Sequence, residues 1–352
     1  MTFGRIAVRS LSLCFLLVLL VSPSRAVPET YGNYFQRGQT WVIGNPLIQA
    51  AFQLTADGRF QYRWIRDIAA GRSWRVSDPN PSSPINLTID GIALNEDTSY
   101  SVVSYSFDPI STPAQGTRLS IVLSTALASG QIRLDAEVYS GQPFLRYRTS
   151  YTNTGPSDSY VTQADMLSWK FEDAGESFRD FFVAQWKMWR AANFEPYETD
   201  ISQHDGPVEM YTGAYADHTA WRAVRDSHDH GLICAWEFDG RAHAHVEHAH
   251  DSELLKLDAR ISDLNHRVSH GRTFRVPEAF IGVFHGDWDE AGYRTQRFAE
   301  SVLAFPMPEP DKFPYVMFDT WGYNQHIDER LAMEAADKAA NAGAEVFILN
   351  LG

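Results

Sequence analysis

Hydrophobic and polar residues alternate over most of the chain, from residue 27 to about residue 281. Alternation with a period of two predicts strands with one buried and one solvated face, as in antiparallel sheets. Residues 61–67 alternate cleanly, and residues 119–123 and 132–138 flank a turn sequence that predicts a β-hairpin. Such runs, repeated over roughly 250 residues, predict a mainly β protein with one large antiparallel β-sandwich, or supersandwich.

The sequence of residues 178–189 is compatible with two types of secondary structure, a helix and a strand. Its large apolar side chains have helical spacing, but they also suit a strand that is buried on both faces and runs into a loop. They are Phe178, Phe181, Phe182, Trp186 and Trp189. Because the neighbouring segments all predict strands, the strand is the preferred interpretation.

The alternating pattern ends near His285. Asp287 and Glu290 form a capping box, which predicts a helix that runs to about Ala304. Three prolines then stop the helix, because proline cannot continue it. The sequence therefore predicts a sandwich domain at residues 27–286, followed by a linker helix and a proline-rich connector at residues 287–312.

Two apolar runs without alternation, 315–318 and 346–349, lie near the end of the sequence. Such runs are typical of parallel strands that are covered on both faces. Between them a helical pattern begins after Asp328, a suitable N-cap, and ends before Gly343, a suitable C-cap residue. Residues 313–352 therefore predict a βαβ unit, the first of a (β/α)8 barrel. A complete barrel needs about 250 residues, so we expect this chain to be the N-terminal part of a longer protein.

The beginning of the chain predicts an export signal at residues 1–26. Arg5 and Arg9 precede an apolar run at 11–21, and residues 24–26 form a small-x-small cleavage site. The alternative is an uncleaved membrane anchor, but the apolar run is short for a bilayer. We expect an exported protein, periplasmic or extracellular, with no membrane contact after cleavage.

The net charge of −14 argues against a nucleic-acid partner and against an anionic membrane surface. Cys14 lies in the predicted signal, so Cys234 has no partner for a disulfide. The exported protein must therefore be stabilised by its core, for which 44% hydrophobic residues are sufficient.

A histidine cluster at residues 243–250 is the candidate metal site. In a strand, His243 and His245 share one face at a spacing that could chelate a metal, and a turn could add His248 and His250. The alternative is a solvated hairpin whose polar face is histidine. We prefer this alternative and expect no metal, because the cluster lacks the Cys or carboxylate pattern of standard sites. The sequence contains no cofactor motif, so no cofactor is expected.

The predicted strand ends provide the candidate substrate-binding residues, Asp319, Trp321 and Asn350. In α/β barrels the chemistry lies at the C-terminal ends of the strands. An indole face suits the apolar face of a sugar ring, and the Asp319 and Asn350 side chains can accept hydrogen bonds from hydroxyls. In the alternative interpretation, Trp321 packs on the barrel core and Asp319 caps a loop.

The order of these segments resembles the family 36 glycoside hydrolases, the α-galactosidase (melibiase) group. Residues 231–240, GLICAWEFDG, resemble a sandwich strand of that group that ends in a Trp-x-x-x-Gly turn. Residues 277–289, PEAFIGVFHGDWD, resemble the segment before its linker helix. Residues 318–321 stand where the family has Asn-Ser-Trp, and residues 347–352 stand where it has Leu-Asp-Asp-Gly.

The resemblance implies the N-terminal part of an exported retaining α-glycosidase that hydrolyses α-linked sugars. The catalytic aspartates of the family lie on later strands, so no residue of this chain is assigned a catalytic role. The paired aspartates that hold galactose are replaced by Asn350 and Leu351, so the resemblance does not imply galactose specificity. The alternative function is a non-catalytic carbohydrate-binding or structural β-sandwich module. The expected partner is a carbohydrate, and a homo-oligomer remains open.

Overall fold

A computed structural model describes residues 29–184, 195–213, 218–249, 253–304 and 314–350. The predicted signal at residues 1–26 and the prolines of the predicted connector lie outside the described residues. The chain divides into two compact units, of which the first ends at Val302 and the second begins at Leu303. None of the described helices is long and apolar enough to cross a membrane.

The largest sheet of the first unit has ten antiparallel strands. They are β8 (Ser101–Ile110), β9 (Gly116–Ser124), β10 (Gly130–Tyr139), β11 (Phe144–Asn153), β13 (Phe178–Ala184), β14 (Glu195–Asp200), β16 (His218–Asp226), β17 (His230–Trp236), β21 (Thr273–Arg275) and β22 (Ala279–His285). Their order is β14-β13-β16-β17-β22-β11-β10-β9-β8, with β21 also paired to β11. The predicted hairpin is confirmed, because β9 and β10 pair with Leu123 opposite Ile132.

Two smaller antiparallel sheets complete the first unit. The sheet of seven contains β6 (Leu87–Ile89), β7 (Ile92–Leu94), β12 (Ser159–Glu172), β15 (Val208–Thr212), β18 (Ala242–Ala249), β19 (Leu254–Ile261) and β20 (His266–Val268). The sheet of five contains β1 (Tyr31–Phe35), β2 (Thr40–Gly44), β3 (Ile48–Leu54), β4 (Phe60–Asp67) and β5 (Arg72–Arg75). The predicted fold class, mainly antiparallel β followed by a βαβ unit, is confirmed.

The three sheets share one hydrophobic core. Trp169 of the seven-stranded sheet stacks on Tyr62 of the five-stranded sheet, with ring centroids 3.4 Å apart. The Trp169 indole N–H donates a hydrogen bond of 2.8 Å to the hydroxyl of Tyr147, which belongs to the ten-stranded sheet. One buried side chain thus contacts all three sheets, and its polar atom is satisfied, as burial requires.

The ambiguous stretch forms a strand, as preferred, over β13. Phe178 and Phe182 face the core, whereas Phe181 lies on the opposite face and is only half-buried. The expectation of burial on both faces was therefore wrong for this strand, because the described residues cover its outer face incompletely. Trp186 and Trp189 lie outside the described residues.

Helix α1 spans Trp288–Phe298 and begins at the predicted cap. The Asp287 carboxylate accepts a hydrogen bond of 3.1 Å from the backbone N–H of Glu290. The Glu290 carboxylate binds Arg294 at 2.6 Å, so only half of the predicted capping box forms. The chain continues as a π-helix over Ala299–Leu303, so the α-helix ends before the predicted end near Ala304.

The second unit is a βαβ unit, as predicted. It consists of β23 (Met317–Asp319), a 3-10 helix (Thr320–His326), helix α2 (Glu329–Asn341) and β24 (Val346–Ile348), and its two strands pair in parallel. The Asp328 carboxylate caps α2 by accepting a hydrogen bond of 2.7 Å from the backbone N–H of Leu331. Gly343 follows the helix with φ +90°, a conformation that favours glycine.

Candidate functional site

The two parallel strands of the second unit end at the same edge. Phe318 pairs with Phe347, and their rings stack with centroids 5.8 Å apart. Asp319, the last residue of β23, lies opposite Ile348, the last residue of β24. The polar residues that follow the two strands are therefore brought close together, as the sequence predicts.

Thr320 joins the two strand ends. Its hydroxyl oxygen accepts a hydrogen bond of 2.8 Å from the backbone N–H of Asn350, and the hydroxyl donates one of 3.2 Å to the Asn350 carbonyl. Thr320 is completely buried, so the hydroxyl fixes the backbone from which the Asn350 side chain extends. This residue was not predicted from the sequence. The available signal was a hydroxyl residue placed directly between two candidate site residues at a strand end.

The Asp319 carboxylate accepts two hydrogen bonds, one of which is the capping bond of the alternative interpretation. One oxygen accepts a hydrogen bond of 2.7 Å from the backbone N–H of Trp321 and so caps the 3-10 helix. The other oxygen accepts one of 3.3 Å from the side-chain amide of Asn350. Each carboxylate oxygen can accept a further hydrogen bond, so capping does not use up the capacity to bind a hydroxyl.

Trp321 lies next to this pair, with 46% of its surface exposed. Its backbone N–H is held by Asp319, which fixes the position of the residue. The residue therefore lies partly exposed at the edge where Asp319 and Asn350 meet. The three candidate residues are adjacent, and their role in binding substrate remains a prediction.

The charges near the strand ends favour a neutral ligand. Within the described second unit, Arg330 and Lys338 both pair with Glu334, at 3.3 and 2.7 Å. No described arginine or lysine forms an ion pair with Asp319. An exposed carboxylate without a cationic partner repels anions and accepts hydrogen bonds from hydroxyls.

The histidine cluster is divided between two faces of β18. His243 and His245 lie half-exposed on one face, where His243 pairs with Glu209 and His245 pairs with Asp258 at 2.7 Å. The hydrogen bond to Asp258 raises the pKa of His245. His248 faces inward, and His250 lies outside the described residues. Among the described residues, no group of three or more potential ligands could hold a metal ion.

The inward-facing His248 belongs to a buried Ser-His-Asp chain. Its ring nitrogens lie 2.7 Å from the Ser202 hydroxyl and 2.8 Å from the Asp173 carboxylate. The Ser202 oxygen also accepts a hydrogen bond of 2.7 Å from the backbone N–H of Phe178. Ser202, His248 and Asp173 are each more than nine-tenths buried. The arrangement therefore braces the start of β13 rather than presenting a nucleophile.

The comparisons with known proteins rest on structure. No protein-family model and no curated protein sequence matches this chain. The family 36 α-galactosidase AgaB of Geobacillus stearothermophilus matches with a TM-score of 0.70 and 13% identity, over 90% of this chain and 50% of that one. The α-galactosidase of Lactobacillus brevis matches with a TM-score of 0.67 and 12% identity, over 90% of this chain and 49% of that one.

A variant of AgaA from Geobacillus stearothermophilus, solved in complex with raffinose, also matches. Its TM-score is 0.65 and its identity 14%, over 88% of this chain and 50% of that one. The present chain thus spans about half the length of the solved structures it matches. The fold resemblance to the family 36 α-galactosidases inferred from the sequence is confirmed.

Proposed function

We propose that this chain is the N-terminal part of an exported retaining α-glycosidase. The observation that supports the proposal best is the meeting of Asp319, Trp321 and Asn350 at the carboxyl edge of a parallel strand pair. This pair follows a β-sandwich with the fold found in family 36 α-galactosidases. In α/β barrel enzymes, substrate groups bind at this edge.

The proposed role of the three residues is to form part of one sugar-binding subsite. The indole of Trp321 offers an apolar face to the C–H surface of a sugar ring. The Asp319 carboxylate accepts hydrogen bonds from hydroxyls, and the Asn350 amide both donates and accepts them. The two catalytic carboxylates of a retaining enzyme, about 5–5.5 Å apart, would come from later strands.

The proposed substrate is a neutral α-linked sugar other than galactose. Asn350 and Leu351 occupy the positions of the paired aspartates, so the hydroxyl-binding carboxylates of the galactosidases are missing here. Asp319 is then the carboxylate at this edge, and its lack of a cationic partner among the described residues disfavours acidic sugars. Export is proposed from the signal-type sequence of residues 1–26 alone.

The test compares this chain with the product of the coding sequence extended past codon 352. Both proteins are assayed with a panel of aryl α-glycosides, and the anomeric configuration of the product is followed by NMR. We expect the extended protein to hydrolyse at least one glycoside with retention, and the present chain to hydrolyse none. Turnover by the present chain that a substitution within it abolishes would contradict the proposal.

A stop codon directly after Gly352 would favour the alternative, a carbohydrate-binding or structural module. In the extended enzyme, Asp319→Asn keeps the shape of the side chain but removes its charge. It should lower kcat/KM by about tenfold or more, since a charged acceptor forms the stronger hydrogen bond. Asp337→Asn, a substitution of an exposed aspartate on α2, is the matched control and should leave kcat/KM unchanged.

A further inference from the structure

An open groove of about 670 Å³ lies between helix α1 and strands β13 and β16, entirely within the first unit. Phe181, Trp221 and Trp288 form its apolar part. Helix α1 packs on the outer face of the ten-stranded sheet through Phe298, whose ring stacks on Phe144 at 4.4 Å. The groove is the adjoining part of that outer face, where the helix leaves the sheet uncovered.

The aromatic rings of the groove are held in fixed positions. Phe181 stacks on Trp288 with ring centroids 5.2 Å apart. Phe181 and Trp221 pack edge to face, with ring centroids 6.1 Å apart. The Trp221 indole N–H donates a hydrogen bond of 2.9 Å to the hydroxyl of Thr295 on α1. Rings that are ordered before a ligand arrives lose little further entropy on binding.

The rim of the groove provides hydrogen-bonding groups from one face of α1. Asp289, Tyr293 and Gln296 are spaced at i, i+4 and i+7, so they lie along one side of the helix. The Asp289 carboxylate and the Tyr293 hydroxyl have no partner among the described residues. The Gln296 amide nitrogen bonds Glu300 at 3.0 Å, which leaves its oxygen as an acceptor.

Gly292 keeps the same face of α1 open. It lies in the interior of the helix, where glycine is destabilising relative to alanine. Packing does not require it, because a Cβ at this position would meet no atom within 4 Å. Its φ also lies outside the left-handed region, so the backbone does not require glycine either. The residue costs stability and leaves space in the groove.

These features fit a neutral saccharide. A pyranose ring presents apolar C–H faces to aromatic rings and hydroxyl donors to acceptors around them. Among the described residues, Asp289 is the one charged residue that lines the groove. The Arg225 guanidinium lies 4.4 Å from the centroid of the Trp288 ring but does not line the groove, so the charge in the groove disfavours an anionic ligand. We propose that this groove binds a neutral oligosaccharide. The proposal does not depend on glycosidase activity, because a carbohydrate-binding module would use the same groove.

The experiment measures binding of four neutral trisaccharides to the 352-residue chain by NMR titration. The probes are raffinose, maltotriose, cellotriose and xylotriose, with trigalacturonic acid as the charged counterpart. Gly292→Met fills the groove while replacing glycine with a better helix former. Arg297→Met places the same side chain on an exposed part of α1 that does not line the groove, and is the matched control.

We expect at least one neutral trisaccharide to bind and trigalacturonic acid to bind more weakly. Gly292→Met should raise the dissociation constant by about tenfold or more, because the methionine side chain occupies space that the sugar needs. Its melting temperature should stay the same or rise by a few degrees, which excludes unfolding as the cause. Arg297→Met should leave the dissociation constant unchanged.

The proposal is overturned if none of the four sugars binds, or if Gly292→Met leaves their binding unchanged. Binding that is lost in Trp321→Ala but kept in Gly292→Met also overturns it, since that result locates the sugar at the strand ends. That outcome would support the proposed function, so the two proposals fail separately. A change of oligomeric state in Gly292→Met without sugar binding would make the groove a contact between two copies of this chain.

Discussion

The two units bury their apolar strands to very different degrees. In β17 of the first unit, Leu232 and Ile233 are completely buried between neighbouring strands and layers. In the second unit, Met317 of β23 is 63% exposed, and Leu349, just after β24, is 55% exposed. The first region was predicted from alternating hydrophobic and polar residues and the second from two apolar runs, and only the first is covered within the described chain.

The difference shows what an apolar run does and does not specify. Such a run determines that the segment forms a strand, and β23 and β24 pair in the predicted parallel sense. It does not provide the layers that cover the strand. In the second unit α2 is the only described α-helix, and Ala335 and Ala339 are its buried residues. The parallel strands β23 and β24 are covered by one helix whose buried side chains are alanines, so much of their apolar surface stays exposed.

Hydrogen exchange should show the largest contrast between the units. We expect the amides of Leu232, Ile233 and Cys234 to exchange only through global unfolding, at about 5–15 kcal/mol. The amides of Val346, Phe347 and Ile348 should exchange through local opening, at on the order of 1–3 kcal/mol. Equal protection of β17 and β24 would contradict this contrast and show that β24 is packed as well as β17.

Truncation of aromatic residues should show the next largest contrast. Trp169→Ala removes a ring that contacts all three sheets, so the free energy of unfolding should fall by about 3–5 kcal/mol. Phe347→Ala removes one half-exposed ring from a stacked pair and should cost about 1 kcal/mol. Chemical denaturation of both variants gives the comparison. A cost for Phe347→Ala as large as that for Trp169→Ala would contradict the difference in burial.

Thr320→Val tests the hydrogen bonds that join the strand ends. Valine keeps the volume but leaves the Asn350 backbone without its partner, at a cost of about 1 kcal/mol. The Asn350 amide should exchange faster, while the melting of the first unit stays unchanged. Thr320→Ser keeps the hydroxyl and should restore most of the protection. If Thr320→Val and Thr320→Ser behave alike, the hydroxyl does not hold the strand ends.

The smallest effect concerns the exposed face of β18. The hydrogen bond to Asp258 raises the folded-state pKa of His245 above 6.5. The stabilisation of the folded state by the His245–Asp258 pair is therefore complete below about pH 6.5. It is lost as the pH rises through the raised pKa of His245. For a partly exposed pair it should reach about 0.5 kcal/mol. We expect the stability difference between the wild type and Asp258→Asn to shrink from pH 5.5 to pH 8.5.

Much of the fold could be predicted because the signals were local. The period-two pattern identified the hairpin of β9 and β10, and the caps Asp287 and Asp328 marked both α-helices. Strand order could not be predicted, since β17 pairs with β22 far along the chain. Pairing between strands that are distant in sequence depends on how their apolar faces pack together in the core. The pattern within one segment does not specify it.

The candidate site could be located but not completed from the sequence. Asp319 and Asn350 were identified from their positions after apolar runs, and they do meet at 3.3 Å. Thr320 was missed because its contribution is a buried tertiary hydrogen bond, which leaves no periodic signal. The aromatic groove was missed because Phe181, Trp221 and Trp288 come from three elements distant in sequence.

Trp321→Ala in the proposed extended enzyme tests the central claim, that the strand ends form a sugar-binding subsite. Because Trp321 is 46% exposed, its loss should change the melting temperature little. The value of kcat/KM should fall by about 100-fold or more, since the substrate loses the surface that positions it. A stability loss of about 3–5 kcal/mol with nearly normal kcat/KM would contradict the claim and make Trp321 a packing residue.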